Sequence, residues 1–137
     1  MLGIREPQIY GSKTYEDLKT LVTDYAGKNG IDVSFFQSNH EGDLIDAIQK
    51  AYFEKVDGIV FNPAAYTHTS IAIADALKGT GTPTVEVHIS DLSKREAFRQ
   101  VSYIRDTVIG TVTGKGLDGY NIAIDMLMAH IKERAGK

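Results

Sequence analysis

The chain has 137 residues, a length that suits one domain with its own core and is short for two. Its net charge of -3 and pI near 5.8 offer no positive field for a nucleic-acid backbone, and the lack of cysteine excludes disulfides, thiolate metal sites and a cysteine nucleophile. Apolar residues at 42% and charged residues at 24% are globular proportions, with no apolar run near the roughly 18 residues of a membrane span and no signal-like start, so a soluble, cytoplasmic protein without nucleic-acid or membrane partners is expected.

Taken in order, Leu18, Leu21, Val22 and Tyr25 recur at helical spacing after Thr14, a candidate N-cap, and Gly30 marks a stop. Ile31, Val33 and Phe35 alternate with polar residues and predict a strand, after which Leu44, Ala47, Ile48 and Ala51 return to the helical period. Gly58 to Phe61 is a short continuous apolar run of the kind that buried parallel strands show, and Ser70 to Lys78 predicts a short helix. Val85, Val87 and Ile89 alternate again. Val108 to Val112 predicts a last strand before a helix carrying Leu117, Tyr120, Ile124, Leu127 and Ile131. With no repeat or linker-like composition shift, residues 1–137 are read as one domain, and strands alternating with helices predict a doubly wound parallel sheet with helices on both faces.

Ligands of such sheets bind beyond the carboxyl ends of the strands. After Phe61 comes the donor-rich loop Asn62-Pro63-Ala64-Ala65-Tyr66-Thr67-His68-Thr69-Ser70, leading into a helix N-terminus, where backbone amides favour anions. On the strand around Val87, the residues Thr84, Glu86, His88 and Ser90 share one face, because side chains two apart point the same way. A carboxylate beside an imidazole favours the charged ring and fixes its tautomer, as a general acid near neutral pH requires. Spacing alone favours the plainer reading, a hydrogen-bonded core histidine or a polar sheet edge. His40 and His130 stand at helix ends without metal-ligand company and are read as surface residues, so no metal site is expected.

The opening Gly3-Ile4-Arg5-Glu6-Pro7 with Tyr10-Gly11, the Asn62 to Ser70 loop, Glu86-Val87-His88-Ile89-Ser90, Gln37-Ser38-Asn39-His40-Glu41-Gly42 and Arg95-Glu96-Ala97-Phe98-Arg99 together resemble type II 3-dehydroquinate dehydratase, from Leu2 to the last helix. The resemblance implies a flavodoxin-like fold, trimers assembled into a homododecamer, no cofactor, and conversion of 3-dehydroquinate to 3-dehydroshikimate in the shikimate pathway of aromatic amino acid biosynthesis or in quinate breakdown. It implies that Tyr10 is the base that takes a proton next to the ketone, with Arg5 as the lid arginine that activates it. A tyrosine is a poor base at neutral pH, and a guanidinium within about 4 to 6 Å favours the tyrosinate. His88 matches the acid that protonates the departing hydroxyl of a stepwise elimination through an enolate, with Glu86 orienting it. Asn62 and the amides of Ile89 and Ser90 match the substrate carboxylate site, His68 and Arg99 match groups that hold ring hydroxyls, and Arg95 falls in the lid. Asp75 matches an acid that reaches a neighbouring subunit's site; read bare, it is equally a solvated helix carboxylate.

Members of the family open with an apolar strand and a Gly-Pro-Asn-Leu-Asn turn ahead of the equivalent of Met1-Leu2-Gly3-Ile4, so a shortened chain is expected, lacking the first and central strand between Ile31–Gln37 and Gly58–Phe61. The competing readings are a catalytically impaired relative that binds ligand or serves as a scaffold, and a phosphate or nucleotide binder using Gly114-Lys115-Gly116-Leu117-Asp118-Gly119, which spells GxGxxG between a strand and a helix. That fingerprint belongs on an early βαβ unit with an acidic residue after a second strand. Here the chain ends in the helix, which makes a turn with close helix packing the plainer explanation.

Overall fold

The computed structural model describes residues 15–62, 70–89 and 104–135. In chain order they form α1 (Tyr15–Lys28), α2 (Glu41–Phe53), β1 (Ile59–Phe61), α3 (Ile71–Thr80), β2 (Thr84–His88), a 3-10 turn (Arg105–Thr107), β3 (Gly110–Thr113) and α4 (Asp118–Ala135). The three strands are parallel in the order β1-β2-β3, with Phe61 opposite Glu86 and Glu86 opposite Thr111.

Helix boundaries follow local chemistry. Ser70 caps α3 by accepting the Ile73 amide at 3.0 Å, and Gly81 closes it at φ 69° with its own amide on the Leu77 carbonyl. α1 ends at Gly30, with φ 68°, where the Ile31 amide returns to the Ala26 carbonyl at 2.9 Å. α2 ends in the same way, with the Val56 amide on the Ala51 carbonyl, but the left-handed position there is taken by Lys55 at φ 59°.

The apolar positions sort into two layers. Ile59 and Phe61 of β1 pack with Leu44, Ile45 and Ile48 of α2, Ile73, Ala74 and Leu77 of α3, and the fully buried Ile104. On the opposite face Val60, Val85, Val87 and Val112 meet Tyr120, Ala123 and Leu127 of α4, and α1 covers α4 through Leu18, Val22 and Ile124. Helices therefore stand on both faces of a parallel sheet, as the alternation predicts. Each fully buried aliphatic side chain contributes about 1.5 to 3 kcal/mol. Because β2 is the middle strand, all five of its residues are buried, including Thr84, Glu86 and His88.

The strand expected at Ile31–Gln37 is not one: these residues join no ladder in the sheet. The alternation does not hold as packing either: Ile31 and Phe35 lie against Leu18, Val22 and Ile124, while Val33, which alternation places on the same face, is exposed, as is Phe36. A strand requires a neighbour to take its amides and carbonyls. Among the described residues β1 has a single strand neighbour, β2, so the two flanking segments are not paired with each other. The last strand begins two residues later than predicted; Val108 packs into the core and the Ile109 amide donates to the Thr84 carbonyl. None of the described helices is long and apolar enough to cross a membrane.

Candidate active site

The parallel sheet directs the carboxyl ends of β1, β2 and β3 to one edge, and the polar residues of interest collect there. Alternation along β2 sends Val85 and Val87 toward α4 and leaves Glu86 and His88 on the other face. Their side chains are 0% and 5% exposed, and His88 Nε2 is hydrogen-bonded to Glu86 Oε2. The expected pairing of carboxylate and imidazole is thus present, inside the protein rather than on a polar sheet edge. Arg105, on the turn beyond Ile104, brings Nη2 to 3.9 Å from the same Glu86 oxygen, with its side chain 46% exposed. No pattern in the sequence marks Arg105, because the contact crosses from a short turn to the middle of the sheet.

The loop after β3 fixes the end of β2. The Gly114 amide donates to the His88 carbonyl at 3.3 Å, and the Gly116 amide to the Ile89 carbonyl at 3.1 Å. Both glycines take positive φ, 71° and 58°. Since carbonyl and amide point in opposite directions across a trans peptide, holding the His88 carbonyl toward β3 turns the Ile89 amide toward the β1 side. Gly119 supplies the close approach of α4: a Cβ there would come to 3.4 Å from Val112 Cγ1 and Val87 Cγ1. The GxGxxG spelling therefore encodes a turn and a tight helix contact, and its first two glycine amides are spent on the His88 and Ile89 carbonyls rather than offered to a phosphate.

Asn62 stands just past β1, next to the end of β2. Its Nδ2 donates to the hydroxyl of Tyr120 in the first turn of α4, at 3.1 Å. Burial pushes the Tyr120 phenol above the usual tyrosine value; the Asn62 hydrogen bond acts in the opposite direction, and Tyr15 adds a smaller upward push. Tyr120 was legible in the sequence only as an apolar helix position, and the role of its hydroxyl emerges from the fold.

The structure thus brings Glu86, His88, Ile89 and Asn62 to one end of the sheet. Asp75 lies on the outward side of α3, away from the buried Ile73, Ala74 and Leu77. Arg5, Tyr10, His68, Ser90, Arg95 and Arg99 fall outside the described residues. His40 is exposed, as expected of a surface residue. His130 departs from that expectation: its Nε2 is buried and finds no hydrogen-bond partner among the described residues. No group of metal-ligating side chains occurs among the described residues.

Comparison with known proteins matches residues 1–128 to the family described as Dehydroquinase class II. A 3-dehydroquinate dehydratase of Caldicellulosiruptor bescii is 52% identical over 90% of this chain and 86% of its own length. One from Clostridium perfringens strain 13 is 49% identical over 98% of this chain and 92% of its own. The crystal structure of type II dehydroquinase from Butyrivibrio crossotus superposes with a TM-score of 0.91 at 50% identity, covering 93% of this chain and 88% of that one.

Proposed function

Because this chain belongs to the class II dehydroquinase family, we propose that it is a carbon–oxygen lyase converting 3-dehydroquinate to 3-dehydroshikimate and water. The observation that carries the chemistry is the buried Glu86–His88 pair at the carboxyl end of the middle strand. An imidazole held through Nε2 by a buried carboxylate is fixed in orientation and delivers its proton through Nδ1. In the proposed sequence Tyr10, activated by Arg5, removes the proton next to the ketone. The resulting enolate then expels the C1 hydroxyl, which leaves as water with the proton from His88. The proton taken by Tyr10 returns through solvent to restore the starting state, so atoms and charge balance.

The substrate carboxylate is held by Asn62 with the amides of Ile89 and Ser90. The direction of the Ile89 amide toward the β1 side supports this reading, since it faces the strand end from which Asn62 projects. His68 and Arg99 hold ring hydroxyls, and Arg95 belongs to the lid. Asp75, on the exposed side of α3, serves a neighbouring subunit's site in a dodecamer built from trimers, working in the cytoplasm.

Turnover tests the reading directly, followed by the ultraviolet absorbance of the conjugated product. The wild-type chain should turn over 3-dehydroquinate, while Tyr10→Phe and His88→Gln should each lower kcat by at least about a hundredfold. Retention of full activity by Tyr10→Phe would remove the assigned base.

A further inference from the structure

We propose that Asn29 is a site of spontaneous modification, where the backbone nitrogen of Gly30 closes on the Asn29 side-chain carbonyl, expels ammonia and leaves an acidic residue at the end of α1. The inference stands apart from the lyase reading and uses residues that the reading does not. In this cyclisation a bond forms between the next residue's amide nitrogen and Cγ. The bond from Cγ to Nδ2 breaks, and Nδ2 departs as ammonia with the proton of that amide. Water then opens the succinimide ring at either carbonyl. One opening gives an ordinary aspartate; the other gives isoaspartate, in which the chain runs through the side-chain carboxyl and is one carbon longer. A bulky following side chain crowds the ring closure, and an amide tied into a helix is withheld from it.

Neither obstacle stands at Asn29. Both Asn29 and Gly30 are exposed, just past the last residue of α1, Lys28. Gly30 has no side chain, and the space where a Cβ would stand is open. Its amide reaches the Gly27 carbonyl at 3.3 Å, beyond the usual range of a backbone hydrogen bond. The other asparagines are protected. Asn39 precedes His40, whose amide donates to Ser38 Oγ at 3.0 Å. Asn62 precedes Pro63, which has no amide hydrogen, and Asn121 precedes the branched Ile122 inside α4.

The product harms the turn that made it. Asn29 Nδ2 donates to the Tyr25 carbonyl at 2.8 Å, serving one of the carbonyls that the end of α1 leaves without a helical partner. A carboxylate cannot donate there, and it adds negative charge at the negative end of the helix. Isoaspartate also lengthens the link to Ile31. The Ile31 amide on the Ala26 carbonyl, and the Ile31 side chain against Leu18, Val22 and Ile124, both depend on the length of that link.

Ageing the full chain for days in mildly alkaline buffer, followed by peptide mapping and enzymatic methylation of isoaspartate, tests this. Asn29 should be modified at least about tenfold faster than Asn39, Asn62 or Asn121, and faster still as pH rises, because the deprotonated amide is the nucleophile. Asn29→Gln should remove the methylation signal. Fresh Asn29→Asp should melt roughly 2 to 4 °C below the wild type, and aged wild type should move toward or below it. Modification spread evenly over the asparagines, or absent from Asn29, would overturn the assignment. Aged protein that is modified at Asn29 yet melts like fresh protein would overturn the claimed damage to the turn. Mapping of the wild-type chain decides the site whether or not the variants fold.

Discussion

The side-chain amide of Asn62 donates to the Tyr120 hydroxyl at 3.1 Å, tying the end of β1 to the first turn of α4 across 58 positions of sequence. The amide has two nearly isosteric orientations, and this bond selects the one that puts Nδ2 on Tyr120. Tyr120→Phe keeps the ring that packs against the cluster of Val85, Val87, Val112, Ala123 and Leu127 and removes only the acceptor. KM for 3-dehydroquinate should rise about three- to tenfold, the equivalent of one ordinary hydrogen bond, with kcat nearly unchanged. In an Asn62→Ala background the same change should have no further effect on KM.

The buried phenol also makes an alkaline prediction. Burial holds Tyr120 protonated in the folded protein at pH values where an unfolded tyrosine, near 10, has begun to ionise. Above about pH 10 the unfolded state therefore binds fewer protons than the folded one, and stability falls as pH rises. Below that value the contribution is fully present. Melting temperature measured from pH 8 to 11 should drop more steeply for the wild type than for Tyr120→Phe, and equal slopes would contradict the assignment.

Gly116 should matter through its backbone. A Cβ there would meet nothing within 4 Å, yet φ is 58°, so alanine is disfavoured by conformation rather than by space, at about 1 to 2 kcal/mol. Because the Gly116 amide holds the Ile89 carbonyl, relaxation of the turn should disturb the adjoining amides. Gly116→Ala is expected to lose roughly 3 to 6 °C in melting temperature and raise KM several-fold. Gly116→Asn, whose side chain tolerates the left-handed region, should recover much of both.

Lys55 offers the opposite experiment. It occupies the left-handed position that closes α2, its side chain is exposed, and the equivalent position at the end of α1 is Gly30. Relief of the left-handed cost, about 1 to 2 kcal/mol, outweighs the entropy glycine adds to the unfolded chain, about 0.5 to 1 kcal/mol. Lys55→Gly should therefore gain about 0.5 to 1 kcal/mol, seen as a melting temperature higher by roughly 2 to 4 °C. A lower one would show that the lysine side chain contributes there.

Much of this architecture was legible in the chain. The helical spacing of Leu18 to Tyr25, the stop at Gly30, the short helix that follows the Asn62–Ser70 loop and the alternation at Val85 and Val87 are local instructions, enforced by periodicity and φ preferences. The Glu86–His88 pair was legible for the same reason, since residues two apart on a strand share a face whatever surrounds them.

Tertiary structure alone decided the rest. Ile31 to Phe35 carries a strand's pattern yet forms no ladder, because a strand is a relation between two segments and only one can be read from its own residues. The same limit hid Arg105 beside Glu86 and the Tyr120 hydroxyl on Asn62: both contacts join residues far apart in sequence, and long-range proximity is created by packing the layers together. Composition and spacing determined which groups could do chemistry. The folded sheet, by gathering its strand ends at one edge, decided which of those groups could act on one another.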